Sequence, residues 1–574
     1  MKSSIQSSTV NRQSSIRSAP VYLAIILIYV ISAFLVDPRG EFPLNDDWSY
    51  SRSAFRFARE NVIEVDEWCA PSLFGQALYG GLLAKLFGPS FTVLRLSTLI
   101  LSCGLSLILW RTLQALNVDR IMSWIVVLAW IFNPIQFSLS FTYMTEIPFA
   151  FFTGLGLLAM VRYLETGRIA SLVASASALG FSALIRQMAA LFIAPLFLGL
   201  SLPQPGRPWR QSLWRAVLFA ASTVPFLAVY YLWLARRGGP TPAARRKFEL
   251  LSQLTTEQVI GNSYGLLFYV CFMLLPLLLY VVPSLRSSWK EAARPFRILS
   301  LVGTLSFIGL GLWWFRGYSS PDYFPSRAYH GRMPFLLNIL YDTGLGPLTL
   351  DPTYYASIPT PVYPAVWILV TIAVAGGLAV LALSCLLGGK RAADSGGRDR
   401  TVLFVTGGAF LLIAAFEIVF SHLQEGGLFD RHMLAAAYPL ALFVAVLHRR
   451  SATAARATTL LACLLTGGLA YFSVTATHDY LAWNRIRWEM GNELLAQGVD
   501  SLNIAGGFEF NGWHNYDTFR ARGNVERVFH WWYDEPIYLI SMSVEPGYRI
   551  VRRAEYASWL HRRPIGLYLL KKPG

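Results

Sequence analysis

The stretch PVYLAIILIYVISAFLV, residues 20–36, has no charged residue. It is close to the length of about 17 to 25 apolar residues that an α-helix needs to cross the hydrocarbon core of a bilayer. A serine-rich, basic segment at 1–19 precedes it, and no small-residue cleavage site follows it. We therefore predict an uncleaved membrane anchor preceded by a cytoplasmic tail at 1–19.

The rest of the chain has the composition of a membrane protein. Of its 574 residues, 54% are hydrophobic and 14% are charged, whereas soluble domains carry about a quarter charged residues. Further apolar blocks run at 91–113, 121–137, 143–162, 169–185, 188–202, 214–234, 264–283, 298–315, 363–387, 401–421, 432–448 and 457–475. The blocks are 15 to 25 residues long, close to the length that a span needs, so we predict an all-α polytopic membrane protein with about 13 transmembrane helices. A collagenous, disordered or soluble Rossmann-type protein is excluded.

Basic residues are concentrated in the short loops that follow the even-numbered apolar blocks. Such loops stay in the cytoplasm, so the net charge of +16 orients the chain and does not indicate a nucleic-acid partner. The opposite face then receives the acidic loop 37–90, the long loop 316–362, the short loop 422–431 and the C-terminus. We expect an integral protein of the cytoplasmic (plasma) membrane with a cytoplasmic N-terminus.

The loop 235–263 departs from this pattern, because it is predicted to be external and yet is basic. Either the span count is wrong here, the segment is re-entrant, or its cations have a function outside. The cations in question are Arg236, Arg237, Arg245, Arg246 and Lys247.

The chain after the last apolar block is less hydrophobic. We predict a multi-span domain at 20–475 and a small extracytoplasmic α/β domain at 476–574. The second domain should contain a helix at 483–497, ended by Gly498, and strands within the β-branched runs 502–505, 537–541, 549–551 and 565–570.

Ionisable residues in or near the predicted spans lie toward the external ends of those spans. Arg95, Glu146, Arg186 and Glu417 all fall there under the predicted topology. Such groups are costly at membrane depth unless they face a wet cavity or one another, so this placement indicates an external polar chamber. The alternative for Arg95 and Arg186 is that each side chain merely extends to the membrane surface.

The first external loop carries an acidic pair soon after the first span. Asp46 and Asp47 are followed by Trp48 and Tyr50. A carboxylate can accept a proton or hold a cation, while aromatic faces stack on a sugar ring. Adjacent acids are also commonplace in loops, so the pair alone does not identify a catalytic site.

An arginine stripe follows the acidic pair. Arg52, Arg56 and Arg59 share one face of a predicted helix that would lie along the lipid headgroups. These arginines can bind a lipid phosphate or simply the anionic membrane surface.

The predicted external domain contains the aromatic segment GFEFNGWHNY at 507–516. Trp513 and His514 are candidates for sugar contacts, and the alternative is an interfacial aromatic belt with ordinary core packing. Gly506-Gly507 is typical of a turn, and we expect no nucleotide-sugar site.

Several segments occur in an order found in a known superfamily. They are the acidic pair, an apolar stretch at 73–88, FGPSFTVLRLS at 87–97, YMTEIP at 143–148, and FDRHML at 429–434 followed by Tyr438-Pro439. Over about residues 20–450 this order resembles the GT-C membrane glycosyltransferases. The most similar groups are the protein O-mannosyltransferases, the lipid A aminoarabinose transferases and the related lipopolysaccharide sugar transferases.

The resemblance implies an inverting glycosyltransferase that moves a sugar from a polyprenyl phosphate, undecaprenyl phosphate in a bacterium, to an acceptor hydroxyl at the outer membrane face. It assigns the base, or the group that orients the acceptor, to Asp46 or Asp47. Glu146 matches a second acidic position, and Arg431 resembles the residue that contacts the donor phosphate. The chain departs from many relatives at Ala70-Pro71-Ser72, where they have His-Pro-Pro, and at Arg186-Gln187, where they carry a lysine.

Displacement at an anomeric carbon needs a base near the acceptor and cations near the departing phosphate. The candidate cations are Arg431, Arg186, Arg52, Arg56, Arg59, Arg245, Arg246 and Lys247. No cofactor can be argued from the sequence, although Asp46, Asp47 and Glu146 leave room for a divalent cation. Four of the five cysteines lie in or beside apolar blocks, so we expect no disulfide framework.

Two other functions compete with the glycosyltransferase hypothesis. A transporter or flippase of a lipid-linked sugar would favour charges near the membrane midplane and internal repeats. A non-catalytic membrane assembly or sensor protein would tolerate loss of Asp46 and Asp47. The sequence leaves open the sugar, the oligomeric state and the acceptor, which can be a glycan, a lipid or a protein.

Overall fold

The computed structural model describes residues 2–202, 208–317, 333–334, 338–341, 343–347, 350, 364–393, 396–421, 428–449, 455–523 and 532–573. Its helices are α1 (Lys2–Val36), α2 (Asp47–Glu60), α3 (Phe74–Phe87), α4 (Phe91–Ala115), α5 (Arg120–Ile131), α6 (Pro134–Ser140), α7 (Glu146–Thr166), α8 (Ile169–Ile185), α9 (Ala190–Ser201), α10 (Trp209–Arg236), α11 (Pro242–Glu249), α12 (Thr256–Glu291), α13 (Arg294–Gly317), α14 (Pro364–Ala393), α15 (Gly397–Phe420), α16 (Met433–His448), α17 (Arg456–Ala496) and α18 (Phe508–Ala521). The strands are β1 (Leu340–Tyr341), β2 (Gly344–Leu345), β3 (Ile504–Ala505), β4 (Tyr538–Ser541), β5 (Arg549–Ser558) and β6 (Arg563–Lys571).

The predicted apolar blocks all form helices. Within the described residues, 10 helices are long and apolar enough to cross a membrane. The remaining blocks form the pair α5–α6, bent by 60° at Asn133, and the shorter apolar helices α8 and α9. The all-α membrane architecture is therefore confirmed, while the count of about 13 spans stays a prediction.

The N-terminal and C-terminal spans extend farther than the apolar blocks. Helix α1 already begins at Lys2, inside the predicted tail. Helix α17 has 41 residues, which at 1.5 Å per residue is about 60 Å or twice the hydrocarbon thickness. The predicted helix at 483–497, ended by Gly498, is confirmed, but it is the last part of α17, which continues from the last span into the C-terminal domain without a break.

A small sheet completes the C-terminal domain. Its strand order is β3-β4-β6-β5, with β3 and β4 parallel and the other pairs antiparallel. The predicted strand positions are thus confirmed, and helix α18 packs on α2 of the first loop. The C-terminal domain therefore rests on the same loop that carries the acidic pair.

The predicted loops 316–362 and 422–431 lie mostly outside the described residues. The described part of the first contains the short hairpin β1–β2. The buried carboxylate of Asp430 accepts the backbone N–H of Ile339 at 3.1 Å and that of Leu340 at 2.6 Å. These bonds hold the hairpin against Asp430, the neighbour of Arg431 in the chain.

Candidate active site

The two adjacent carboxylates of the first loop have different surroundings. Asp47 is buried, and its carboxylate accepts the N–H groups of Leu44 and, at 3.0 Å, of Tyr143. Burial raises the pKa of Asp47 to about 8, although the Tyr143 N–H and the charge of Arg95 oppose the increase. Asp47 therefore ties the first loop to the segment that precedes α7.

Asp46 instead faces an arginine. Its Oδ2 lies 2.7 Å from Nη2 of Arg431, and its Oδ1 accepts the indole N–H of Trp68 at 3.2 Å. The Asp46 side chain is 16% exposed, whereas Asp47 is buried. Asp46 is thus the member of the acidic pair that an incoming hydroxyl can reach.

Arg431 connects Asp46 to a second ion pair. Its Nε lies 3.7 Å from Oε1 of Glu146, and the same oxygen lies 2.6 Å from Nη1 of Arg186. Glu146 is the first residue of α7, where the helix dipole favours a negative charge. Its other oxygen, Oε2, is buried and has no hydrogen-bond partner within the described part of the chain. This oxygen remains available to a substrate group.

A further acid lies in the same neighbourhood. Oε2 of Glu417 accepts the hydroxyl of Ser421 at 2.5 Å and lies 3.1 Å from Nδ1 of His432. We predicted Glu417 at the outer end of its span but gave His432 no role. The feature of the sequence that could have identified His432 is its position directly after Arg431, in a segment rich in ionisable residues.

The basic loop 235–263 packs against the first external loop. The Arg237 guanidinium donates to the carbonyl of Val65 at 3.4 Å, and the Thr241 hydroxyl donates to the carbonyl of Cys69 at 2.6 Å. Both loops therefore lie at the same end of the helix bundle. This arrangement agrees with the interpretation in which the cations of this loop are external.

Lys247 of this loop is close enough to the acidic residues to sense their charge. Desolvation lowers the pKa of Lys247 to about 8, with the charges of Arg186 and Arg431 adding to the decrease and those of Glu417 and Asp46 opposing it. Arg245 is exposed and donates from Nε to the carbonyl of Pro240 at 3.1 Å. Arg246 is half-buried on the same short helix, α11.

The arginine stripe does not join this cluster. Arg52 pairs with Asp517 of α18 and lies 3.5 Å from Asp66, so it links the first loop to the C-terminal domain. Arg56 pairs with two acids of its own loop, Glu60 at 3.3 Å and Glu64 at 3.1 Å. Arg59 is exposed at the end of α2.

Of the predicted aromatic contacts, only Tyr50 borders the acidic cluster. Burial raises the pKa of Tyr50, and the charge of Asp46 raises it further while that of Arg431 lowers it. Trp48 has no exposed surface, because it packs inside an aromatic cluster with Trp68, Tyr516 and Trp532.

The other two aromatic candidates pack within the protein. Trp513 contacts the edges of Phe55 and Phe91. His514 lies against Phe510, and burial lowers the pKa of its imidazole to about 4. This position leaves His514 neutral at physiological pH.

Arg95 is a structural residue of the first loop. Its guanidinium donates to the carbonyls of Pro38 at 2.5 Å and Phe42 at 2.7 Å, and the side chain is buried. Arg95 therefore does not extend to the membrane surface.

No arrangement of three or more His, Cys, Asp or Glu side chains that could hold a metal occurs in the described ranges. Asp46 and Glu146 are instead paired with arginines, and Asp47 with backbone N–H groups. Of the carboxylate oxygens that the sequence offered to a divalent cation, all except Oε2 of Glu146 are thus engaged by other groups of the described structure.

Part of the chain matches a family of known function. Residues 77–233 match the family described as dolichyl-phosphate-mannose-protein mannosyltransferase. This segment includes Glu146, Arg186 and α3 to most of α10. The match confirms the resemblance to the GT-C membrane glycosyltransferases.

Solved structures give distant matches. ArnT from Cupriavidus metallidurans is 14% identical in its apo state, over 76% of this chain and 78% of that one, with a TM-score of 0.31. The same protein bound to undecaprenyl phosphate is 12% identical over the same shares, with a TM-score of 0.34. Arabinosyltransferase EmbB from Mycobacterium smegmatis is 15% identical over 82% of this chain and 42% of that one, with a TM-score of 0.33. No curated protein sequence matches the chain.

Proposed function

We propose that this chain, a GT-C membrane glycosyltransferase by its family match, transfers a sugar from a polyprenyl-phosphate donor to an acceptor hydroxyl, with inversion, at the outer face of the membrane. The family description names a dolichyl-phosphate sugar, which is a polyprenyl-phosphate donor. The observation that carries the proposal is the connection Asp46–Arg431–Glu146–Arg186, which joins a reachable carboxylate to two buried cations.

Asp46 is the proposed base. It removes the proton of the acceptor hydroxyl as the hydroxyl oxygen forms a bond to the anomeric carbon, and the bond from that carbon to the phosphate oxygen breaks with its electron pair. The proton ends on Asp46, and the polyprenyl phosphate leaves with one more negative charge. A general base of this kind contributes about 10²- to 10⁴-fold to the rate.

The leaving phosphate needs positive charge close to where its own charge develops. Arg431 and Arg186 already neutralise Asp46 and Glu146, and Lys247 lies near enough to Glu417 for the charge of this carboxylate to raise its pKa. We therefore propose that the phosphate draws on Lys247 together with Arg245 and Arg246 of α11 as well as on Arg431.

The distribution of charge favours an enzyme over a transporter. Glu146 begins α7, Glu417 lies in the last turn of α15, and Arg431 lies two residues before the start of α16. The cluster thus lies at helix ends, whereas a transporter would place such groups near the midplane. The positive-inside rule assigns this end to the outside, so we propose outer-face transfer by residues 20–475 with the domain 476–574 extracytoplasmic.

The test is a transfer assay with the full-length protein purified in detergent. Radiolabelled polyprenyl-phosphate sugars serve as donors and a membrane extract as acceptor, and wild type is compared with Asp46→Asn. We expect wild-type transfer and a loss of about 10²- to 10⁴-fold in kcat for Asp46→Asn.

Asp399→Asn is the matched control, because it also removes a carboxylate paired with an arginine. Asp399 lies in the first turn of α15, at the end of this helix opposite to Glu417. Undiminished transfer by folded Asp46→Asn would move the base to Glu146. If a broad donor panel gives no transfer while proteoliposomes exchange a lipid-linked sugar across the bilayer, the chain is a transporter.

A further inference from the structure

A buried ion pair of the C-terminal domain reaches the first loop beside Asp46. Glu509 of α18 and Arg487 of α17 have no exposed side-chain surface, and their Oε2 and Nη1 lie 2.8 Å apart. The other oxygen of Glu509, Oε1, accepts the backbone N–H of Asn45 at 2.7 Å. The bond joins residues 464 positions apart in sequence.

Two carboxylates hold the backbone of the two residues that precede Asp46. Asn45 has a left-handed conformation with φ of +56°, which sets the direction of the turn into α2. The N–H of Leu44 is held by Asp47 and that of Asn45 by Glu509, and the next residue points its carboxylate at Arg431. The two anchors therefore fix the direction of the Asp46 side chain.

The aromatic packing makes this connection stiff. Trp48 lies against Gly512 of α18, where an added Cβ would come within 2.7 Å of the Trp48 ring. A side chain at position 512 would thus force the first turn of α2 away from α18. Charge and packing act on the same few residues of the first loop.

We infer that Glu509, held by Arg487, is a positioning residue through which the C-terminal domain orients the Asp46 carboxylate. The inference rests on the proposed function, since Asp46 is the proposed base. The C-terminal domain is then a part of the catalytic unit and not only a surface for glycans. Misplacing a reacting group by about 1 Å can cost about 100-fold in rate, so the connection matters for turnover.

The first measurement is the kinetics of full-length Glu509→Ala and Glu509→Gln. Glu509→Ala should lower kcat about 10- to 100-fold and leave the donor KM within about twofold, because it disturbs the base and not the donor contacts. Glu509→Gln keeps an oxygen that can accept the Asn45 N–H and should recover part of the lost kcat.

Asp479→Asn is the matched control. Asp479 is buried in the same domain, and its carboxylate accepts the N–H groups of Trp559 at 2.9 Å and Leu560 at 3.1 Å. It should lower thermal stability while kcat per folded molecule stays within about twofold of wild type. Equal loss of kcat in Asp479→Asn and Glu509→Ala would reduce Glu509 to a stability residue and overturn the inference.

The second measurement needs no substrate and separates this inference from the proposed function. Hydrogen exchange of a peptide that covers residues 44–50 should become faster in Glu509→Ala and stay unchanged in Asp479→Asn. Unchanged exchange in Glu509→Ala overturns the positioning role whether or not any donor is used. Wild type that transfers no sugar, with exchange altered as expected, would overturn the proposed function alone. Should Glu509→Ala fail to fold, Glu509→Gln is measured in both experiments.

Discussion

The two ends of helix α16 each have a buried arginine beside them, and the two arginines have different surroundings. Arg449, at one end, pairs with Asp399 and donates to the carbonyl of Leu116. Arg431, at the other end, lies between Asp46 and Glu146. One arginine holds helix ends together, whereas the other is shared between two carboxylates from two other segments of the chain.

This difference separates a structural ion pair from a reactive cluster. The cluster at Arg431 includes a buried oxygen of Glu146 that has no hydrogen-bond partner in the described structure, and a lysine whose pKa is lowered to about 8. Buried polar groups are normally satisfied within the protein, and it is the combination of this atom with a lysine of lowered pKa that we take to indicate a place for a ligand. Burial of an arginine alone therefore does not mark a catalytic site.

The largest expected effect comes from removing each arginine in turn. Arg431→Met should lower kcat/KM by about 10²- to 10³-fold, because it removes charge beside the departing phosphate. Arg449→Met should leave kcat/KM within about threefold of wild type in the folded fraction. Breaking a buried pair costs about 3–5 kcal/mol, so both variants should lose thermal stability. Transfer assays with parallel melting curves decide, and equal activity losses would erase the distinction between the two ends.

An intermediate effect is expected from the pH dependence of donor binding. The Lys247 ammonium is charged below its pKa of about 8 and neutral above it, so affinity for the donor phosphate should fall as the pH rises through this value. Lys247→Arg should keep its affinity over the same range, because arginine stays protonated. The Kd of a short-chain polyprenyl phosphate, measured from pH 7 to about 9.5, tests this expectation.

The triple variant of Arg245, Arg246 and Lys247, each changed to Met, extends the same experiment. It should bind the donor weakly at every pH, since the charges of α11 are removed together. Donor affinity equal to that of wild type would exclude α11 from the phosphate site and leave Arg431 and Arg186 as its cations.

The smallest expected effect is a change in how stability depends on pH. It concerns Asp47, the buried member of the acidic pair. Because burial raises the pKa of Asp47 to about 8, above an unfolded value of about 4, the folded state keeps a proton that the unfolded state releases. The stability contributed by this proton is fully present below about pH 4 and is lost as the pH rises toward 8, at no more than about 1.4 kcal/mol per pH unit.

Asp47→Asn should therefore flatten the fall in melting temperature between about pH 5 and 8. The control is Gln76→Leu, which breaks a buried hydrogen bond to the Tyr143 carbonyl without removing an ionisable group and should retain the wild-type slope. Melting curves of the purified proteins across this range provide the measurement. Identical slopes for Asp47→Asn and wild type would mean that Asp47 is ionised in the folded protein.

Much of the membrane architecture could be predicted from sequence, because each span is a local run of apolar residues. The positions of the helices and of Asp46, Glu146 and Glu417 at one end of them follow from those runs. Continuity of α17 could not be predicted, since polar residues after position 475 interrupt the hydrophobic pattern but not the helix. The hydrophobic pattern reports burial in lipid, whereas the helix itself depends on hydrogen bonds that continue beyond the membrane.

The sequence by itself determined that this protein crosses the membrane many times and carries acids and cations at one end of its spans, because length, hydrophobicity and loop charge are local properties. The packing of the helices decides that Asp46 faces Arg431 while Asp47 is turned inward. It also decides that Glu509 accepts the backbone N–H of Asn45, the residue before the acidic pair. These contacts join positions separated by 385 and 464 residues. Which side chains meet over such separations is set by how the helices pack, and no local pattern in the chain records it.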